Sequence, residues 1–237
     1  RRPGTFAVVV NCATGRITHR LDAPEGRHFM GHGLFVNDGA LLVTPENNYA
    51  GKKGILGIWD RTKGYTRVGE VQMHGIGPHD IRPLSDGTLV VANGGIFTHP
   101  EIGEGRQKLN IDEMEPSLVY LSPSFALEEK HVLAPDLHKN SIRHLAIGPD
   151  DQVAFAMQWE GDEMDLVPLL GLHRRGEEVV LPEADPGEQY AMKAYAGSIA
   201  FAGDGSEVAI TSPRGGRMHR FAPDGRFLGA VQRGDLC

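Results

Sequence analysis

Three histidines in this sequence, His32, His79 and His144, stand at the start of similar apolar segments and can bind metal ions. Neutral imidazole is a common protein ligand for zinc, copper, iron and nickel, so three converging imidazoles would make a candidate metal site. The histidines are too far apart in the sequence to form a ligand motif by themselves. They could equally hydrogen-bond to neighbouring structural units, and only the tertiary arrangement can bring them together.

The segments that carry these histidines are copies of one repeated pattern, and a fourth copy begins with Ser198. In each copy a polar residue precedes an apolar run, an Asp-Gly or Asp-Asp turn and a second apolar run. The copies span residues 32–44, 79–93, 144–158 and 198–212. Two apolar runs joined by such a turn predict a β-hairpin. A hairpin that recurs roughly every 50 residues is typical of a repeat fold.

A second pair of predicted strands follows each repeated hairpin, and four strands per repeat are typical of a propeller blade. We therefore predict an all-β fold, a β-propeller of four-stranded antiparallel blades, in a single domain over residues 1–237. The predicted blades span about residues 28–74, 75–135, 141–184 and 195–233, after half a blade at residues 1–24. We expect about four and a half blades of a ring of about seven, and hence a fragment of a longer protein.

The propeller fold predicts where polar side chains converge. The innermost strand of a blade lines the central channel, and the second strand returns to the same face. We expect a ligand-binding channel face formed by His32, Glu46, Asn47, His79, Asn93, His99, Arg106, Lys108, Arg143, His144, Gln158, Ser198, Ser212 and Arg214. A metal ion would be held by the three histidines among them.

Glu46 and Asn47 offer oxygen ligands, which suit calcium or a catalytic divalent ion. The alternative for Glu46 is a solvated loop carboxylate. No segment of the sequence resembles a nucleophile motif. The segment Ser212-Pro-Arg-Gly215, for example, is not a Gly-x-Ser-x-Gly elbow. The catalytic residues of an enzyme therefore stay unassigned.

Two arginines on the predicted channel face, Arg143 and Arg214, have the planar geometry that binds a carboxylate or phosphate through two hydrogen bonds. Pairing with a neighbouring carboxylate, Glu46, Asp80 or Glu160, is the alternative for both.

A long insertion, residues 94–116, separates the second and third strands of the blade at residues 75–135. Long loops in compact domains are usually functional or mobile. The insertion could cap the channel face with His99, Arg106, Lys108 and Asn110, or it could be a loop packed on its own apolar residues.

Composition excludes several classes of protein. The net charge is −7, which argues against a general nucleic-acid surface, and no apolar run approaches the roughly 20 residues that cross a bilayer. Cys12 and Cys237 show no metal-ligand spacing, so they either form a disulfide or remain two free thiols.

Several motifs together resemble the bacterial domain-of-unknown-function family 1513 over essentially the whole chain. They are Gly31-His-Gly33, Ile76-Gly-Pro-His79, Val91-Ala-Asn-Gly-Gly-Ile96, Thr98-His-Pro100, Lys108-Leu-Asn110, Met114-Glu-Pro-Ser-Leu118, Arg143-His-Leu-Ala146 and Thr211-Ser-Pro-Arg-Gly215. The resemblance implies a WD40-like propeller, export to the periplasm by the twin-arginine route, and iron-uptake proteins of the cell envelope, such as imelysin-type proteins, as partners. It assigns no catalytic residue.

Three functions are consistent with these features. We favour a periplasmic binding protein in iron or other metal handling, with iron or another divalent metal as its ion. The first alternative is a metal-dependent, lactonase-like hydrolase that uses the same face to activate water. The second is a protein-interaction scaffold, since propellers serve all three purposes.

Overall fold

The repeated Asp-Gly segments form β-hairpins in the computed structural model of the protein, which describes residues 4–236. Within those residues the strands form five antiparallel sheets. Three hydrophobic cores lie between successive sheets, so the sheets are stacked face to face. This arrangement is the predicted all-β propeller, in which each blade buries its faces against its neighbours.

The first two sheets come from the N-terminal part of the chain. The first is a hairpin of β1 (Phe6–Asn11) and β2 (Arg16–Asp22). The second contains β3 (Arg27–Phe29), β4 (Leu34–Val36), β5 (Leu41–Asn48), β6 (Lys53–Asp60) and β7 (Thr66–Gln72). Its inner strand is split, since β3 and β4 both pair with β5. The split arises because the N–H of His32 donates to the carbonyl of His79 in the next sheet, at 3.0 Å.

The remaining three sheets follow in sequence order. The third contains β8 (Pro78–Pro83), β9 (Leu89–Asn93), β10 (Ser117–Leu121) and β11 (Leu127–Val132). The fourth contains β12 (Asn140–Ile147), β13 (Val153–Trp159) and β14 (Leu170–His173). The fifth contains β15 (Ser198–Phe201), β16 (Val208–Ser212), β17 (Arg217–Phe221) and β18 (Phe227–Gln232). The inner strand β12 contacts β8 on one side and β15 on the other, which places successive inner strands around a common hub.

The sequence predicts four strands for the blade at about residues 141–184, but in the part of the chain that the structure describes the fourth sheet contains only three. Only an isolated bridge between Leu172 and Val180 forms, with hydrogen bonds of 2.8 and 2.9 Å. Pro182, two residues after Val180, has no N–H to donate for the next bond of the ladder, so the ladder cannot continue.

A short helix, α1 (Pro186–Ala191), forms in a chain that the repeat pattern predicts to be all-β. Pro186 stands at the first turn, where its missing N–H costs no hydrogen bond, and therefore starts the helix instead of breaking it. Short 3-10 turns complete the connections, at Arg61–Lys63, Gly103–Gly105, Ile111–Glu113, Pro135–Leu137 and Pro149–Asp151. Of the two cysteines, Cys12 is exposed and Cys237 lies outside the described residues.

Three buried histidines make the stability of this fold depend on pH. Burial lowers the pKa of His28, His173 and His219 below the ordinary imidazole value of 6.5. As the pH falls through 6.5, the unfolded chain therefore binds protons before the folded chain does. Above that pH, these three histidines should not make the free energy of unfolding change with pH. Below it, the free energy of unfolding should fall progressively.

Urea unfolding between about pH 7.5 and about pH 5.5 measures this effect, because most carboxylates stay ionised over that range. A His28→Gln variant has one such group fewer, and its stability should change less over the same range. Equal unfolding midpoints at both ends of the range would contradict the expectation.

Candidate metal centre at the channel face

The structure brings His32, His79 and His144 together at the hub. Their ring centroids lie 5.8 Å apart for His32 and His79, 5.3 Å for His32 and His144, and 4.7 Å for His79 and His144. One ring nitrogen of each lies within 4.8 Å of the others. A zinc ion binds imidazole nitrogen at about 2.0–2.1 Å, so small side-chain rotations toward a common centre would complete a three-nitrogen site.

A β-bulge positions the functional side chain in two of the inner strands. In β8, Pro78 pairs with Asn93 and Asp80 with Ala92, which leaves His79 as the extra residue. In β12, the residue left without a partner in the register is Arg143, because Ile142 and His144 pair with successive residues of β13. Bulges re-aim side chains next to functional sites.

The bulges correct one detail of the sequence pattern. The pattern predicts that the three histidines occupy equivalent positions in their repeats. By register, however, His79 is equivalent to Arg143, and His144 lies one residue further along its strand. The imidazoles still converge, but the third one reaches the hub from the neighbouring position.

Exposure differs among the three histidines in a way that leaves one side of the cluster open. His79 is only 3% exposed, His144 is half-buried, and His32 is exposed. An ion held here would therefore keep a coordination position on the solvent side. Three protein ligands with one open position are the usual arrangement of a site that binds an exogenous ligand or water.

Arg143 links this cluster to a neighbouring carboxylate. Its Nη1 lies 3.2 Å from Nδ1 of His79, and its Nη2 lies 3.8 Å from Oε1 of Glu160. Lys108 also forms an ion pair with Glu160. Because a guanidinium is only a donor, Nδ1 of His79 offers its lone pair to Arg143, and a metal ion bound at that nitrogen would compete with Arg143. Of the two alternatives for Arg143, the structure shows pairing with Glu160.

A cavity of about 380 Å³ adjoins Arg143. The insertion contributes much of its wall, and the lining residues are Met30, Ile96, Thr98, Gly105, Arg106, Lys108 and Arg143. Three cationic side chains therefore meet on a partly apolar surface whose volume suits a small molecule. The insertion is also packed, because Asn110 accepts from the N–H of Phe97 and donates to the carbonyl of Gly95.

Glu46 is neither a solvated carboxylate nor part of the histidine cluster. Its side chain is 0% exposed and accepts two hydrogen bonds from Arg67, at 2.8 and 3.0 Å, and one from Thr44 at 2.7 Å. The predicted loop is part of β5, which extends to Asn48. Arg67 and Thr44 both belong to the sheet that contains Glu46, so we assign Glu46 to an ion pair within that sheet.

Other predicted channel-face residues make structural contacts. Asn47 accepts from Gly77 N, Asn93 donates to Met73 O, and Gln158 donates to Ala196 O. His99 packs on Tyr49, Ser198 pairs with Thr211, Ser212 donates to Met192 O, and Arg214 lies 4.3 Å above the Tyr195 ring. Each of these side chains or strands therefore contacts another segment of the chain within the fold.

Sequence reasoning missed a second group of potential ligands, formed by Glu129, His131 and His173, whose ligand atoms lie within 4.8 Å of one another. The available signal was the Glu-x-His alternation in β11, because residues two apart on a strand share one face.

Solved structures similar to this chain are propellers. Pseudomonas aeruginosa periplasmic gluconolactonase, PpgL, has a TM-score of 0.59 and 14% identity over 96% of this chain and 63% of its own. The β-propeller domain of Myceliophteria thermophila Cps50 (Swd1) has a TM-score of 0.57 and 12% identity, over 87% and 56%. The calcium-binding protein regucalcin of Agrobacterium tumefaciens has a TM-score of 0.53 and 13% identity, over 86% and 58%. The chain thus spans less than two thirds of each, and at these identities the likeness shows the fold alone.

The family comparison covers the entire sequence. A family model described as "Protein of unknown function (DUF1513)" matches residues 1–237. No curated protein matches the sequence. In residues 4–236, no helix has the length and apolar character that a membrane span requires.

Proposed function

The chain belongs to the DUF1513 family, and we propose that it is a propeller binding protein whose hub holds a divalent transition-metal ion on His32, His79 and His144. The observation that carries the proposal is the convergence of three imidazole nitrogens within 4.8 Å at the open side of the hub. Imidazole donors suit zinc, copper, iron and nickel, and the open position leaves room for a further ligand.

The basic cavity defines the class of that further ligand. Arg106, Lys108 and Arg143 line it, and cationic side chains of this kind bind carboxylate or phosphate groups. An incoming metal ion would displace the guanidinium of Arg143 from His79 Nδ1. The displaced guanidinium then becomes available to a bound anion in the cavity. Metal and anion should therefore promote each other's binding, and the ligand is a small anionic metal complex or an organic anion bound beside the metal.

The cellular role proposed for this site is iron or other metal handling in the periplasm. The resemblance of the sequence motifs supports this role, and the structural likeness to a periplasmic protein is a weaker support for the location. Iron-uptake proteins of the cell envelope are the proposed partners.

Metal analysis of the purified chain tests the proposal. After loading with zinc or ferrous iron, we expect a combined His32→Ala, His79→Ala, His144→Ala variant to lose one metal equivalent per chain relative to the wild type. His19→Ala, which changes a histidine of the first hairpin that stacks on Tyr65, is the matched control and should lose none. Equal metal content in the folded triple variant and the wild type would reject the site.

A second experiment tests whether Arg143 competes with the metal ion for Nδ1 of His79. An Arg143→Gln variant should bind zinc about tenfold more tightly in the absence of anion, because the competing donor and its positive charge are gone. The same variant should lose the enhancement of zinc binding by added citrate or phosphate. Weaker zinc binding in Arg143→Gln would contradict the proposed displacement.

A metal-dependent hydrolase is the second candidate, favoured by the open side of the cluster at His32. A metal bound by three histidines can lower the pKa of a bound water to about 7 and so supply a nucleophile. Hydrolysis of simple lactones by the zinc-loaded chain, lost in the triple variant, would promote this function. If the chain binds no metal, a protein-interaction scaffold is the remaining function.

A further inference from the structure

A polar cluster away from the hub lies between the third and fourth sheets. Glu129 and His131 are on the edge strand β11, and His173 ends β14 in the neighbouring sheet. The rings of His131 and His173 are 4.1 Å apart between centroids. His173 is 2% exposed, whereas about a quarter of the side chains of Glu129 and His131 is exposed. A solute can therefore reach the cluster from the surface.

Two of the three side chains are held by hydrogen bonds from a turn of the fourth sheet. Oε1 of Glu129 accepts from the N–H of Gly176 at 3.0 Å, and Nε2 of His173 lies 3.0 Å from the carbonyl oxygen of Glu177. A carbonyl can only accept, so Nε2 of His173 carries the proton and Nδ1 keeps its lone pair. Such bonds orient the ligands of a metal site and fix the tautomer of a ligating histidine.

The remaining atoms of these side chains point at one another. Oε2 of Glu129 lies 2.9 Å from Nε2 of His131, and the lone pair of His173 Nδ1 faces the hydroxyl of Tyr120 at 2.5 Å. The Tyr120 hydroxyl is the donor in this bond, because the proton of the His173 ring is on Nε2.

We propose that Glu129, His131 and His173 form a second metal site, independent of the hub, that joins the third and fourth sheets through one divalent zinc-like ion. The ligand atoms are Oε2 of Glu129, Nε2 of His131 and Nδ1 of His173. Nε2 of His131 gives up its hydrogen bond to Glu129 as its proton moves to Nδ1 of the same ring, and Nδ1 of His173 exchanges the Tyr120 hydroxyl for the ion. Two nitrogens, one carboxylate oxygen and a water from the exposed side make the four-coordinate set typical of zinc.

The position of the site explains what the ion would do. Here the fourth sheet has only the isolated Leu172–Val180 bridge in place of a fourth strand. The adjacent turn is already held against the third sheet, because Arg175 pairs with Asp86 at 2.5 Å and Glu128 at 3.3 Å. A metal ion at this junction would add a crosslink where hydrogen-bonded strands are missing, and so stabilise the contact between the two blades.

Zinc titration of the full chain without its hub histidines tests this site separately from the proposed function. In the His32→Ala, His79→Ala, His144→Ala variant we expect one equivalent of zinc to bind, and we expect bound Co²⁺ to show the visible absorption of four-coordinate cobalt. Adding either Glu129→Gln or His131→Ala should abolish both signals. Both substitutions lie on an exposed edge strand, and circular dichroism checks that the fold persists.

His138→Ala is the matched control, because it removes another half-buried histidine, in the connection between β11 and β12, that is outside the cluster. It should keep the zinc equivalent and the rise in unfolding temperature that zinc produces. Absence of saturable zinc binding in the hub variant would overturn the second site. So would binding that survives Glu129→Gln and His131→Ala together. Neither result depends on whether the hub itself binds metal.

Discussion

Replacing Arg67 by methionine is expected to lower the free energy of unfolding by about 3–5 kcal/mol. The substitution leaves the carboxylate of Glu46 buried without its cation, since Glu46 is 0% exposed and Arg67 is its bidentate partner. The remaining hydrogen bond from Thr44 cannot replace two charge-assisted bonds. Urea unfolding followed by circular dichroism measures the change, with the dependence on urea concentration expected to stay constant.

Two further variants show whether the loss comes from an unpaired charge. The double variant Glu46→Leu, Arg67→Met removes both charges and should recover most of the lost stability, because an apolar pair avoids the desolvation of two ions. Arg20→Met removes one member of an ion pair that is more than half exposed, and we expect no measurable change. If Arg67→Met lowers the free energy of unfolding as little as Arg20→Met does, the interpretation of Glu46 and Arg67 as a buried ion pair is wrong.

A further variant, Glu46→Gln, separates the ion pair from the metal site. Folded Glu46→Gln protein should bind zinc at the hub as the wild type does, because the side chain is engaged by Arg67 and Thr44. A hydrolase that needed Glu46 to hold its metal would instead lose zinc in this variant.

Replacing Gly31 by alanine is expected to destabilise the fold by about 3 kcal/mol, the upper part of the usual range for overpacking. A Cβ at this position would lie 1.9 Å from the carbonyl oxygen of His79 and 2.5 Å from its carbonyl carbon. Backbone atoms cannot rotate away as a side chain can. The second and third sheets would therefore have to separate at the hub.

That separation should also weaken the candidate metal site. The N–H of His32 donates to the same carbonyl of His79, so the close approach at Gly31 is what holds two of the imidazoles together. We expect zinc affinity at the hub to fall together with stability. Gly69→Ala is the control, since a Cβ there meets nothing within 4 Å. If urea unfolding and zinc titration show the same values for both alanine variants, the proposed role of this contact is wrong.

Local sequence patterns were sufficient for most of the strands. The Asp-Gly turns and the apolar runs beside them act over a few residues, and the predicted hairpins at β4–β5, β8–β9 and β15–β16 are confirmed. The two prolines that follow β14, Pro182 and Pro186, have opposite effects on local structure. Pro182 ended a predicted strand and Pro186 began a helix, because the consequence of a missing N–H depends on which bond the position would have made.

The sequence by itself therefore determined the all-β repeat fold and the family, and it identified the three histidines that meet at the hub. Only the tertiary structure decided which polar groups share an environment. Glu46 pairs with Arg67 because β5 runs on to Asn48, and His173 meets His131 across two sheets. The physical reason is that turns and alternation act between near neighbours along the chain. The partners of a side chain across sheets depend instead on bulges, strand length and the packing of one blade on the next.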